Sequence, residues 1–203
     1  MDFLKPKSTK PPIALRPDHI TPTPTTIRVK QESTGLSRAR FTVTSTPTPH
    51  SPHPTKLFDI DGGSPSPSFS QIRHFRDASG LPLFEVERKW SSMNWVLYLP
   101  GGSGSGSGRL SEPIATVRPR HAGLKDKLEV RLKNAAAGGE DTTLEVRGES
   151  IWKTKTNVLH QGEVVMAMRL ESLTAVHIPG MHLAWEVEVA RGVDLALIYR
   201  LRF

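Results

Sequence analysis

Apolar and charged residues take turns along most of this chain. Ile27 and Val29 alternate with Arg28 and Lys30, and Phe41 and Val43 with Thr42 and Thr44. Phe84 and Val86 alternate with Glu85 and Glu87, and Leu128, Val130 and Leu132 with Glu129, Arg131 and Lys133. The same holds for Leu144 and Val146, and for Leu183, Trp185, Val187 and Val189. Side chains of a β-strand point to opposite faces in succession, so a period of two gives each strand one apolar and one solvated face. An antiparallel sheet with one side in water has that requirement. Further strands are expected at 56–60, 71–76, 94–99, 114–118, 157–160 and 164–170. Gly62-Gly63, Ser79-Gly80, Gly138-Gly139, Gly148 and Pro179-Gly180 supply turns between them. About a dozen short strands at turn-like spacing point to a barrel or a sandwich.

The C-terminus breaks the alternation. Asp194 is a good helix N-cap, and Leu195 to Tyr199 is apolar on every side. A helix that is hydrophobic all round must be buried. In a protein of strands its natural place is the inside of a barrel, whose lumen otherwise needs large side chains to fill it. The expected fold is therefore all-β with one helix: an about 12-stranded closed antiparallel β-barrel around a buried C-terminal hydrophobic helix.

Residues 1–25, rich in Pro, Thr and Lys, lack this order. Pro11-Pro12 and Thr21-Pro22-Thr23-Pro24-Thr25 show no apolar period. Such a stretch buries too little surface to offset the entropy of ordering it, and a disordered leader is expected before a domain at 26–203. A Pro-rich stretch, 45–54, and a Gly/Ser run, Gly101 to Gly108, read as surface loops. The net charge of +7 is concentrated early: residues 1–56 hold nine basic and three acidic residues, and residues 57–203 hold eighteen and seventeen. No cysteine is present, which excludes disulfides, thiolate metal sites and a cysteine nucleophile. No apolar run reaches the ~20 residues that span a bilayer, and the first residues lack the apolar core of a secretory signal. A cytoplasmic, monomeric protein is expected, peripheral to a membrane if it meets one.

Five strings, taken in order, carry a resemblance. They are Leu57-Phe58-Asp59-Ile60-Asp61-Gly62, Arg76-Asp77-Ala78-Ser79-Gly80-Leu81-Pro82-Leu83-Phe84, Trp95-Val96-Leu97, Trp185-Glu186-Val187-Glu188-Val189-Ala190 and Gly192-Val193-Asp194-Leu195-Ala196-Leu197-Ile198. A strand ending in Gly, a D-x-x-G-x-P-L hairpin, a Trp-bearing strand and a Gly-Val-Asp entry into a central helix resemble the LURP-one-related branch of the tubby C-terminal-like fold, over roughly residues 26–203. Asp77 and Gly80 would build the tight hairpin turn, Gly192 would turn the chain inward, and Asp194 would cap the helix. Arg200, Arg202 and the stop at Phe203 depart from the longer apolar helix of the pattern. Either the arginines emerge at the barrel mouth or the end is cut short. Tubby proteins bind phosphoinositide headgroups through basic residues outside the barrel. The resemblance therefore implies a non-catalytic module whose ligand is a membrane phospholipid or a protein.

Two basic clusters fit such a ligand. Arg118, Arg120, Lys125 and Lys127, with His121, are expected in one loop; Arg147, Lys153 and Lys155, near Trp152, surround another. Either could grip a phosphate by charge-assisted hydrogen bonds, although basic loops are more often plain solvated surface. Asp59-Ile60-Asp61-Gly62-Gly63 imitates the nucleophile loop of haloacid-dehalogenase-type phosphatases, with Asp59 as nucleophile and Asp61 as general acid. Gly63 stands where that loop has Thr, and Ser64-Pro65-Ser66-Pro67 cannot start the helix that must follow. A third reading is nucleic-acid binding through the basic N-terminal segment. His177 and His182 flank Pro179-Gly180, but no carboxylate nearby completes a metal site. No metal and no cofactor are expected.

Overall fold

Each alternating segment lies beside the next one in the chain. A computed structural model describes residues 5–32, 40–47, 52–61, 64–65, 71–89, 94–102, 111–122, 125–149, 154–172 and 182–200. Among these, the strands are β1 (Thr25–Gln31), β2 (Phe41–Ser45), β3 (Lys56–Ile60), β4 (Ser64–Pro65), β5 (Gln71–Asp77), β6 (Pro82–Arg88) and β7 (Trp95–Tyr98). They continue as β8 (Ala115–Ala122), β9 (Lys125–Asn134), β10 (Glu140–Gly148), β11 (Lys155–His160), β12 (Glu163–Leu170) and β13 (Ala184–Val189). Every pairing is antiparallel. β1 pairs with β13, and β3 pairs with β5, so twelve strands close into an up-and-down barrel with β4 as a two-residue spur on β5. An even number lets the first and last strands of a meander meet antiparallel, and closure leaves no long edge to aggregate.

Inner faces follow the alternation. Ile27, Val29, Phe41, Val43, Leu132, Leu144, Val146, Val187 and Val189 are buried in one core cluster. The β3–β5 seam, only three register pairs long, is sealed by aromatic rings. Phe58 meets Phe75 at 5.1 Å between centroids, and Phe75 stacks on Phe84 at 4.5 Å.

The two chain ends depart from expectation together. The expected buried C-terminal hydrophobic helix is not shown. The C-terminal segment is a six-residue 3-10 helix, Leu195–Arg200, and no helix of seven or more residues occurs among the described residues. Ala196, Leu197 and Ile198 still join the core. Residues 201–203 lie outside the described residues. The expected disordered leader is corrected over 5–24: this stretch packs across the barrel end where β1 begins and β13 finishes. Ile13 and Ala14 are wholly buried and Leu15 nearly so. Ile13 bridges Val193 in parallel, and Ile20 bridges Asp194 antiparallel. The cause is three consecutive apolar residues whose backbone groups find partners on the barrel. Ile13 N–H donates to the Gly192 carbonyl at 2.9 Å, and Asp194 N–H donates to the Ile13 carbonyl at 2.9 Å.

Candidate functional site

Strand register brings distant basic residues into rows on the outer surface. In β8, β9 and β10, Arg120 stands opposite Lys127, and Lys127 opposite Arg147. The neighbouring outward row runs Arg118, Glu129, Glu145. These are strand residues and not the loop residues expected. β8 continues through Pro119 to Ala122, and β9 starts at Lys125, so a hairpin replaces the first loop. Arg147 likewise lies within β10 and Lys155 opens β11. Lys153, Trp152, Trp90 and His177 lie outside the described residues, and of Lys125 only the backbone is described.

The patch is charge-rich but unbalanced. Glu129 accepts from Arg131 at 2.7 Å and is also paired with Arg120. Burial pushes the Glu129 carboxyl up, but Arg131 and Arg120 together hold it below the ordinary value. Glu145 is held down mainly by its hydrogen bond from Arg147 at 2.6 Å, with Lys127 at 3.9 Å adding attraction. Among the described residues, two carboxylates thus pair with Arg120, Lys127, Arg131 and Arg147, with Arg118 beside them, which leaves positive charge in excess. Around the barrel the bookkeeping differs: Arg169 pairs with Glu186 at 3.0 Å, and Arg28 forms a forked pair with Glu171 at 2.6 and 2.7 Å. Among the described residues, only β8–β10 presents three cations in one unbroken cross-strand row.

That row sits toward the barrel end opposite the N-terminal strap. The same end holds the C-terminal end of β6, with Arg88 over the Trp95 ring at 5.8 Å. Trp185 is buried in the core and Trp95 is packed against it.

The turn and strap residues are also placed. Asp77 Oδ1 accepts from Ser79 N–H, Ser79 O–H and Leu81 N–H at 2.7 to 2.9 Å, and Gly80 takes φ +91°. Gly192 takes φ +85°, and a Cβ there would lie 3.0 Å from the Thr9 carbonyl oxygen. Asp194 does more than was read from the sequence. Its Oδ1 accepts from Ala196 N–H at 2.7 Å, and its Oδ2 accepts from Leu15 and Arg16 N–H at 3.0 and 2.8 Å. Asn134, which no motif singles out, accepts from Ala14 N–H at 3.0 Å and donates to the Pro12 carbonyl at 2.9 Å.

A family model described as LURP-one-related matches residues 25–201. The chain belongs to the LURP-one-related family. No curated protein matches it. The match starts at β1, so the strap that completes the core of this LURP-one-related barrel precedes the matched span. The phosphatase-like aspartates are barrel residues here. Asp59 pairs outward with Lys56 at 2.8 Å and Asp61 with Arg76 at 3.6 Å. An antiparallel LURP-one-related barrel also lacks the parallel strands and crossover helices on which a dehalogenase loop is mounted. No helix among the described residues is long and apolar enough to cross a membrane.

Proposed function

We propose that this LURP-one-related barrel is a non-catalytic module that docks on anionic phospholipid, phosphoinositides included, through the outer face of β8–β10. The observation that carries the reading is the row Arg120, Lys127, Arg147. Its members lie close enough to act together on one multiply charged headgroup, and each keeps a third or more of its side chain exposed. Guanidinium groups grip phosphate by paired, charge-assisted hydrogen bonds, and Lys127 adds a point charge. The protein would then be a cytoplasmic, peripheral membrane component. The ion-paired state of Asp59 and Asp61 supports a structural role for both rather than phosphoryl transfer.

Vesicle co-sedimentation tests the proposal. Phosphatidylcholine vesicles with added phosphoinositide should retain the protein at low salt and release it at high salt. A basic residue near an anionic surface contributes about 1 kcal/mol, so R120Q/K127Q/R147Q should weaken retention roughly 100-fold. Equal sedimentation of wild type and triple variant, with both still folded, would remove the lipid reading and turn the search to a protein partner.

A further inference from the structure

Inside the barrel, at the end away from the strap, two buried donors meet no acceptor among the described residues. Arg73 is opposite Val86 in the β5–β6 pairing, so its side chain shares the inner face with core residues. It is only 7% exposed. Its guanidinium carbon lies over the Phe41 ring, 5.8 Å from the centroid. The Trp185 ring lies 6.3 Å from the same Phe41 ring. Both Arg73 Nη1 and Trp185 Nε1 are buried without a hydrogen-bond partner among the described residues. No carboxylate among the described residues lies within ion-pair distance of Arg73. Asp61 attracts it from farther away, while already accepting from His74 N–H at 2.9 Å and facing Arg76.

Buried polar groups are nearly always satisfied, and a buried cation without a counter-ion is the costliest exception. Here the cation and the indole ring both lie near the Phe41 ring. Burial draws the guanidinium below its ordinary value, yet an arginine stays charged at any working pH. The barrel therefore carries a buried positive charge and a buried neutral donor, both beside Phe41. We infer that Arg73 and Trp185 form a recessed binding site for a single oxyanion, a phosphate or a carboxylate, with Phe41 as its floor. The site is separate from the outer row. There the cations are partly solvated and share Glu129 and Glu145, whereas no acid among the described residues pairs with Arg73. Phe41 and Trp185 would exclude water around the anion and strengthen its attraction to the guanidinium.

The test uses the full chain and two variants, Arg73→Met and Trp185→Phe. Inorganic phosphate and acetate are titrated against chloride at equal ionic strength, with melting temperature and tryptophan emission as readouts. In parallel, phosphatidylcholine vesicles are presented with and without phosphatidic acid. Wild type should gain roughly 3–5 °C at tenfold half-saturation, with an emission change that saturates at the same concentration. Arg73→Met should melt higher than wild type in chloride, because the unpaired buried charge is gone, and should lose the anion response. Trp185→Phe should bind about 10-fold more weakly through one lost hydrogen bond, and the emission change should vanish. A response to free phosphate or acetate identifies a soluble anion; a response only to phosphatidic acid vesicles identifies a lipid headgroup. The proposal is overturned if no anion acts on wild type, or if Arg73→Met responds as wild type does. Arg73→Met should still sediment with phosphoinositide vesicles, and R120Q/K127Q/R147Q should still respond to the recessed-site anion, so the two readings fail separately.

Discussion

Asp194 shows how much one carboxylate can hold. It is fully buried, accepts from Leu15, Arg16 and Ala196, and joins the strap to the C-terminal segment. Asp194→Asn would turn an N–H group toward donors that need an acceptor, and should cost about 2–4 kcal/mol by urea denaturation. Burial raises this carboxyl above its ordinary value despite the three amides. Ionisation is then harder in the folded protein than in the unfolded chain. The group's contribution is full below the unfolded value and is lost as pH rises through the folded one. The stability gap between wild type and Asp194→Asn should therefore narrow as pH rises above the ordinary carboxylate range; a gap that widens would contradict the burial argument. Gly192 is the second such residue, since φ +85° and the nearby Thr9 oxygen exclude a side chain. Sequence could flag both residues, because a Gly-Val-Asp entry has a meaning of its own. It could not show that Asp194 serves a segment far away in the chain.

At the scale of elements, the strap was the least legible part and the strands the most. Each expected strand is present within a few residues, because alternation is a local property of the inner and outer faces. Ile13-Ala14-Leu15 has no period, and the prolines around it match those of unstructured chains. Its order comes from partners elsewhere: Asn134, Gly192 and Asp194. The terminal helix was over-read for the related reason that an apolar run states burial but not length or pitch. Two substitutions test the strap. Ile13→Ala should destabilise by about 2–5 kcal/mol through a cavity that the rigid barrel end cannot close. Asn134→Ala removes the acceptor for Ala14 and Ala136 N–H and the donor to Pro12, and should make the N-terminal segment more susceptible to limited proteolysis than the barrel. Unchanged proteolysis would mean that the apolar contacts alone fix the segment.

At the scale of the whole molecule, the barrel decides which residues become neighbours. The architecture could be argued from strand number and turns, but the charged row could not. Arg120, Lys127 and Arg147 meet only because two hairpin registers place them side by side, and a slip of one residue would point them inward. The same register sets Arg73 within the core, where the His-Phe-Arg sequence around it gives no warning. Closure itself can be probed at its short β3–β5 seam. Phe75→Ala removes the ring between Phe58 and Phe84 and should cost about 3–5 kcal/mol, with the fastest new amide exchange in β3 and β5. Exchange that increases evenly around the ring would show that the barrel opens only as a whole.

The strap also has a consequence for the order of assembly during synthesis. Residues 9–16 are made well before the backbone at 191–194 to which they bind. Until then Ile13 and Leu15 lack their partners Gly192 and Asp194, and β1 lacks its neighbour β13. A growing chain can form the consecutive hairpins from β5 onward, yet closure at β1–β13 and seating of the strap must wait for residues 184–194. Contacts of such long sequence separation slow folding. Nascent chains stalled short of residue 190 should stay protease-sensitive at their first residues, and the newborn protein is most exposed to holding chaperones in that interval.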